Sequence, residues 1–317
     1  MLIEILIFLF LGMIAGTICG LIPGIHINLV GAMLVSLSVS IFAQIQPIYI
    51  VAFIVSMAIT QCFTDFIPSI FLGCPDTDTS LSVLPGHELL KEGKGYAAIM
   101  FTAYGGLAAI FILIAMTYPL ILLISATFNS IKSAIPYILI TVSLIMIILE
   151  KKKIKAFLVF LFTGLLGYSV LNLEMNQSLL PLLTGLFGAS ALILTIKNKT
   201  QIPKQEITNE KTGFFRPLIA SLIASPLCGF LPGLGSSQAA IIGNSISRTD
   251  RKGFLVLLGA TNILVMGFSF LSLYTISKTR TGAAAAIKEI LGFLTPNILI
   301  LILISVLISG IISFFLT

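Results

Sequence analysis

The sequence contains very little charge. Only 9% of its 317 residues are Asp, Glu, Lys or Arg, whereas 57% are hydrophobic, and the mean hydropathy is +1.12. Soluble domains carry about a quarter charged residues, so this chain cannot cover itself with a water-compatible surface. The low charge excludes a soluble catalytic domain and indicates an integral membrane protein.

Other chemically useful residues are also scarce. There is no Trp, and there are only two His and four Cys. The cysteines lie in or beside apolar segments without metal-ligand spacing, so we predict neither a disulfide framework nor a metal centre. No nucleophile–base pair, paired-carboxylate site, HExxH motif or P-loop is present, so we predict that the chain is not an enzyme and has no catalytic residues.

Long apolar runs occupy most of the remaining sequence. A helix needs about 20 apolar residues to cross a bilayer, and these runs lack the alternation of a lipid-facing strand. We therefore predict an all-α polytopic membrane protein with about ten spanning or half-spanning helices. Pro119 could kink the fourth run, and Thr295–Pro296 should divide the last. The apolar segments are 1–22, 25–43, 48–72, 96–127, 134–149, 154–171, 179–196, 214–231, 234–246, 253–273 and 283–316.

Two basic clusters predict the orientation of the chain. They lie at 151–155 and 197–216, and the two apolar segments between them are joined by residues 172–178, which include Glu174 and no basic residue. A two-span hairpin would place both clusters on one side, which the positive-inside rule makes cytoplasmic. The basic residues thus follow membrane loops, and no nucleic-acid partner is expected. The predicted divisions are an N-terminal membrane repeat (1–150), a hairpin with a cytoplasmic linker (151–213) and a C-terminal membrane repeat (214–317).

A seven-residue motif occurs twice. Cys19-Gly-Leu-Ile-Pro-Gly-Ile25 recurs as Cys228-Gly-Phe-Leu-Pro-Gly-Leu234. Pro and Gly end helices, and the backbone groups that they free are tolerated in a membrane only beside protein or a wet cavity. Two related parts, each with such a break, are typical of secondary transporters with discontinuous helices. Span parity leaves the orientation of the repeats open, and we expect them to be inverted.

Residues that follow each break could bind an anion. The N-terminus of a helix favours negative charge through its unpaired amides and its dipole. The alternative is that these residues only cap a helix and permit close packing. The candidate substrate-binding residues are Pro23, Gly24, His26 and Asn28 at the first break, and Pro232, Gly233, Gly235, Ser236, Ser237 and Gln238 at the second.

Two polar loops carry the other candidates. Asp76-Thr-Asp-Thr-Ser80 aligns with Lys278-Thr-Arg-Thr-Gly282, and each acid of the first loop is replaced by a base in the second. Ionisable residues at membrane depth cost about 2.5–3.5 kcal/mol on insertion scales and usually pair or line a pathway. We predict that Lys278 and Arg280 bind an anionic group, with Arg280 the better ligand because its contacts can be bidentate. The neighbouring substrate-binding candidates are Thr77, Thr79, Thr279 and Thr281.

Acidic residues supply the predicted counter-ions. Asp76 and Asp78 could neutralise the two bases or, with Asp65, form a site for a coupling Na+ or H+. The alternative is that both loops lie in water, and that Asp65 only marks the end of a helix. Two further polar residues have structural interpretations: Asn262 should make an interhelical hydrogen bond, and His87 should lie in a turn-rich loop at Pro85-Gly-His-Glu88.

These motifs resemble the TctA family, the large membrane subunit of tripartite tricarboxylate transporters. The resemblance is carried by Gly20-Leu-Ile-Pro-Gly24, Gly229-Phe-Leu-Pro-Gly-Leu-Gly235 and Phe71-Leu-Gly-Cys-Pro75, with a weaker match at Pro85–Ala97. It implies a cation-coupled permease for organic anions, with pseudo-symmetric parts whose post-break loops hold the substrate. Duplicated Pro-Gly motifs also resemble those of polyprenyl-phosphate transporters, which implies a lipid-phosphate substrate.

We therefore predict a secondary active transporter for small organic anions such as carboxylates, with alternating access at a midplane site between two repeats. Translocation of a polyprenyl or other lipid phosphate, an intramembrane lipid enzyme and a non-transporting scaffold are the alternatives. No cofactor is expected apart from the coupling ion. The expected partners are membrane lipids and the substrate; a homodimer and accessory transporter subunits are left open. The Ile- and Lys-rich usage indicates a prokaryotic cell membrane.

Overall fold

Apolar helices make up the described part of the chain. The computed structural model describes residues 2–23, 25, 27–38, 44–73, 78–172, 193, 196–197, 203–208, 210–230 and 234–317. The elements assigned in these ranges are all helical, and they form six spans that are long and apolar enough to cross a membrane. The all-α polytopic class is therefore confirmed.

The helices follow the apolar runs closely. Before the linker they are α1 (Leu2–Leu21), α2 (Ile27–Ser38), α3 (Pro47–Thr64), α4 (Phe66–Phe71), a 3-10 turn (Ser80–Ser82), α5 (Val83–Lys91), α6 (Gly95–Lys132), α7 (Ile135–Leu149) and α8 (Lys153–Leu171). After it they are α9 (Phe215–Phe230), α10 (Ser236–Ser247), α11 (Arg251–Ile276), α12 (Gly282–Leu291) and α13 (Pro296–Leu316).

Proline explains several of these boundaries. Pro47 and Pro296 lie in the first turns of α3 and α13. Backbone N–H groups in a first turn have no helical acceptor, so proline costs no hydrogen bond there. The division predicted at Thr295–Pro296 is confirmed, because α12 ends at Leu291 and α13 begins at Pro296. Pro119 lies inside the single helix α6. The predicted segment 179–196 falls almost entirely outside the described residues.

The turn-rich loop predicted around His87 is wrong. Val83–Lys91 forms helix α5, with Pro85 in its first turn. Proline fits this position because the first amides of a helix have no helical acceptor. Gly86 then allows α5 to approach α4, since a Cβ there would lie 2.7 Å from the Ile70 side chain. The Pro-Gly pair here starts and packs a helix instead of breaking one.

The core is the crossing of α6 and α11. A Cβ on Gly105 would overlap the backbone oxygen of Val256, and a Cβ on Gly259 would overlap the backbone oxygen of Thr102. The two helix backbones are therefore in direct contact at membrane depth, as small residues permit.

Helix α8 is the opposite case, because a Cβ on its Gly164 would meet no atom within 4 Å and its apolar side chains are exposed. That surface is suited to lipid.

An ionic cluster fixes one end of this crossing. The Glu210 carboxylate lies 2.8 Å from Lys94 Nζ and 2.6 Å from Lys252 Nζ. Lys94 directly precedes α6 and Lys252 opens α11, so both helices begin at the same face and run parallel. Arg251 extends the cluster to the carboxylates of Glu88 and Glu92, at 3.2 and 2.9 Å. The linker thus joins the N-terminal and C-terminal parts of the chain.

This cluster predicts an acid-dependent loss of stability. Hydrogen bonds from Lys252 and Lys94 lower the pKa of Glu210 from 4.5 to about 2. Because the pKa of Glu210 is lower in the folded protein, its contribution to the free energy of unfolding is complete above pH 4.5 and is lost as the pH falls towards 2. In detergent, Glu210→Gln should flatten the thermal stability profile in this pH window. Glu150→Gln, at the exposed α7–α8 turn, should leave the profile unchanged; no difference between the two variants would contradict the assignment.

Candidate functional site

The N-terminus of α10 is held by an aspartate from the N-terminal part of the chain. The Ser236 N–H donates to Asp78 Oδ1 at 3.2 Å, and the Ser236 hydroxyl donates to the same oxygen at 2.7 Å. The Gly235 N–H donates to Gln238 Oε1 at 2.9 Å. The Asp78 carboxylate therefore lies where a helix dipole favours an anion. Pro232 and Gly233 of the second break lie outside the described residues.

Hydroxyl groups extend this contact into the interior. The Ser237 hydroxyl donates to the Asp78 backbone oxygen at 3.3 Å, and it lies 3.2 Å from the Ser80 hydroxyl. Ser69 and Thr79, both fully buried, share a hydrogen bond of 2.6 Å. A buried polar layer thus links residues about 158 positions apart in the sequence. Asp76 and Thr77 lie outside the described residues.

A buried serine holds the second polar loop. Ser269 Oγ accepts hydrogen bonds from the backbone N–H groups of Arg280 and Thr281, at 3.2 and 3.0 Å, and from the Thr281 hydroxyl at 3.0 Å. Thr281 Oγ1 in turn accepts from the Ala284 N–H and caps α12. The backbone on both sides of the Arg280 side chain is therefore fixed.

The Arg280 guanidinium lacks a partner among the described residues. Its Nε atom is buried and has no hydrogen-bond acceptor, and the described carboxylates form no ion pair with it. Desolvation lowers the pKa of Arg280, although an Arg side chain stays protonated. Lys278 is exposed, and Thr279 is partly buried. Asp78 contacts α10, and the structure does not bring it together with Lys278 or Arg280.

The Arg280 loop lies between residues that flank the two breaks. The Ser272 hydroxyl donates to the Gly229 backbone oxygen at 3.0 Å, which ties α11 to the end of α9 before the second break. On the other side, a Cβ on Gly31 of α2 would lie 3.4 Å from Ala286 Cβ and 3.6 Å from the Gly282 backbone oxygen. Helix α2 begins just after the first break, so the loop is close to both.

The first break lies between α1 and α2. Pro23 is partly buried directly after α1, whereas Gly24 and His26 lie outside the described residues. Asn28 is in the first turn of α2, but its side chain is also outside the described part.

Asp65 lies beside the end of α1. It caps the C-terminus of α3, which ends at Thr64. A Cβ on Gly20 would lie 3.1 Å from the Asp65 backbone nitrogen, so α1 packs against this junction immediately before the Pro-Gly motif. Asp65 thus both marks a helix end and lies near the first break. Its role with a coupling ion stays a prediction.

Asn262 has the structural role predicted for it. Its Nδ2 donates to the Cys62 backbone oxygen at 3.2 Å and joins α11 to α3.

In the described ranges, no group of three His, Cys, Asp or Glu side chains is arranged to hold a metal ion. A cavity of about 290 Å³ lies between α6 and the linker and is lined by Tyr96, Ala97, Met100, Phe101, Tyr104, Ile207, Thr208 and Glu210.

Comparison with known families decides the identity of the chain. Residues 6–317 match the family described as the tripartite tricarboxylate transporter TctA family. The chain belongs to the TctA family. This confirms the resemblance carried by the Pro-Gly motifs, and it makes the chain a multi-pass membrane protein of a prokaryotic transporter family, which is not an enzyme family.

One relative aligns with nearly the whole chain. MJ1079 of Methanocaldococcus jannaschii, whose name assigns it no activity, is 34% identical over 321 aligned residues. The alignment covers 97% of this chain and 78% of that protein. No solved structure matches the chain.

The Asp78 contact in this TctA-family chain predicts a stability difference between two substitutions. Asp78→Ala removes the carboxylate that accepts from Ser236 at the start of α10. Loss of a side chain that accepts from the first amides of a helix costs about 0.5–2 kcal/mol. Asp78→Asn keeps an oxygen in the same place and should cost less. Thermal unfolding of the purified protein should therefore rank wild type, Asn and Ala in order of decreasing stability. Equal stability of all three proteins would contradict a capping role.

Proposed function

We propose that this TctA-family protein is a cation-coupled secondary transporter of small organic anions, with alternating access at a midplane site between two repeats. The observation that carries the proposal is Arg280, a partly buried guanidinium whose Nε finds no acceptor among the described residues. Its loop is fixed by buried Ser269. A buried donor that is left without an acceptor costs about 1–3 kcal/mol. An anionic substrate would supply the missing acceptors.

The order of helices supports the two repeats. Helices α2 and α10 each have 12 residues and each follow a Pro-Gly motif. Each precedes a long span, Pro47–Phe71 or Arg251–Ile276. A polar loop, a short helix (α5 or α12) and another long helix follow in both parts. We propose residues 1–150 and 214–317 as inverted repeats, separated by a cytoplasmic hairpin and linker at 151–213.

Contacts between the proposed repeats are reciprocal. The loop at Asp78 reaches α10, which follows the second break, and the loop at Thr281–Gly282 leads into α12, which packs on α2 after the first break. Each polar loop therefore meets the post-break helix of the other repeat. A relative rotation of the repeats would change both contacts together, which is the behaviour required for alternating access.

Each of the four charged residues has its own function in the proposed site. Arg280 binds a substrate carboxylate, because its planar fork of donors matches the two carboxylate oxygens. Exposed Lys278 attracts the anion to the entrance. The Asp78 carboxylate offsets the partial positive charge at the N-terminus of α10, since it already accepts from Ser236. Asp65, beside the first break, belongs to the coupling-cation site.

Ligand-dependent stability tests this proposal. A ligand at about 100 times its dissociation constant stabilises a folded protein by about 2.7 kcal/mol. Purified wild-type protein should be stabilised by members of a panel of mono-, di- and tricarboxylates, and more strongly in sodium than in potassium. Stabilisation only by an isoprenyl phosphate would favour the lipid-phosphate alternative. No stabilisation by any carboxylate would reject the proposed site.

A further inference from the structure

Gln61 presents a buried side-chain acceptor for which the described residues offer no donor. The residue is 3% exposed, and its Oε1 accepts no hydrogen bond in the described part of the chain. Buried polar atoms are nearly always satisfied, so an orphaned amide oxygen requires an explanation. Gln61 has a polar counterpart in Asn262, whose amide does bond to the neighbouring helix. Interhelical bonding therefore explains Asn262 but not Gln61.

The position of Gln61 places it near the middle of the membrane. It lies 14 residues after Pro47 and 10 before Phe71 in the span Pro47–Phe71, or about 21 and 15 Å along the helix at 1.5 Å per residue. Asp65 follows one turn later on the same helix face.

The backbone at this point offers another oxygen. Pro68 has no N–H, so the helical hydrogen bond to the Thr64 carbonyl oxygen cannot form, and α3 ends at Thr64. Gly20 of α1 packs against this junction, so the junction lies next to the first break. The amide oxygen, the freed carbonyl oxygen and the carboxylate are all acceptors of the type that hard cations prefer.

We propose that Gln61 is a ligand of the coupling cation and selects sodium over a proton at Asp65. The inference rests on the proposed function, in which Asp65 belongs to the cation site. A carboxylate alone could carry a proton, but an amide oxygen takes up a proton too weakly to contribute to such a site, whereas it coordinates a metal ion readily. One carboxylate with neutral oxygens balances a single positive charge, so the site suits Na+ better than a divalent ion.

Sodium-dependent stability of the full chain, measured without carboxylate, tests this role. Gln61→Leu replaces the amide with an apolar side chain of similar size that is suited to the core, so the protein should fold. We expect Gln61→Leu to lose the sodium-induced rise in Tm, and to raise the sodium concentration for half-maximal uptake by about tenfold or more. Thr60→Val is the matched control, because buried Thr60 accepts from Ser313 on α13 and should affect stability without changing the sodium response.

The outcomes distinguish failure of the Gln61 assignment from failure of the proposed transport function. Loss of the sodium response in Gln61→Leu and Asp65→Asn, but not in Thr60→Val, would support the site. Loss in Asp65→Asn alone would overturn the role of Gln61 and leave Asp65 as the cation ligand. A wild-type protein that binds carboxylates but shows no sodium response would also overturn it, while the anion site would stand.

Discussion

Arg280→Glu should abolish carboxylate uptake while the protein still inserts into the membrane and folds. Among the described residues, the wild-type guanidinium makes no ion pair and its buried Nε has no acceptor, so the variant breaks no such contact there. A glutamate there would repel an anion from the position that we assign to its carboxylate. Loss of one partner from a desolvated charge pair costs about 2–5 kcal/mol, or about 30-fold to several thousand-fold in affinity.

Two companion variants isolate the role of this side chain. Lys278→Glu makes the same charge change two residues away at an exposed position, and should reduce the rate of uptake at low salt without abolishing it. Arg280→Lys keeps the charge but loses the bidentate geometry, and should raise KM more than it lowers kcat. Uptake should be measured in proteoliposomes with matched protein content. Normal uptake by Arg280→Glu would reject the anion-ligand assignment.

Gly259→Val should prevent formation of the native helix crossing. Any Cβ at this position would overlap the Thr102 backbone oxygen, so the two helix axes must move apart. Overpacking of side chains usually costs about 1–3 kcal/mol, and a clash with backbone leaves fewer ways to relax. We expect most of the variant to be lost from the monodisperse peak in size-exclusion chromatography, with a matching fall in expression.

The chain provides a matched control for this substitution. Gly164 is also a helical glycine in an apolar span, but a Cβ there meets no atom within 4 Å. Gly164→Val should therefore keep the wild-type elution profile and thermal stability, because the added methyl groups face lipid. If both variants behaved like the wild type, the close crossing of α6 and α11 would be contradicted.

The sequence predicts the helical elements well because their signals are local. Apolar runs of sufficient length define spans, and Pro296 begins α13 where the pattern indicated a break. The error at α5 has the same local origin: Pro85 and Gly86 were interpreted as a turn, but proline in the first helical turn and glycine at a tight packing point are equally compatible with a helix.

The partners of the site residues could be predicted much less well. Asp78 was expected beside Lys278 and Arg280, yet it caps α10, because a contact over about 158 residues has no local signal. Ser269, which fixes the Arg280 loop, was missed because a serine in an apolar helix resembles an ordinary small packing residue. Gln61 was missed for a similar reason, since it is distinguished only by the lack of a donor to its Oε1 within the described ranges.

The contact between Asp78 and α10 changes how the second break is used. Free main-chain donors were expected at both breaks, but the described amides of Gly235 and Ser236 already donate to Gln238 and Asp78. A substrate carboxylate at Ser236 would have to displace that of Asp78. We therefore assign the anion to Arg280. Asp78 then serves as a fixed negative charge that stabilises the post-break helix.

Concentrative uptake of a labelled carboxylate by purified protein in sealed proteoliposomes tests the central claim most directly. Under an inward sodium gradient, the wild-type protein should accumulate the best-binding carboxylate above its external concentration, and collapse of the gradient should release it. Protein that is shown to be folded by thermal unfolding, yet accumulates no carboxylate with either a sodium or a proton gradient, would contradict the assignment of this chain as a coupled anion transporter.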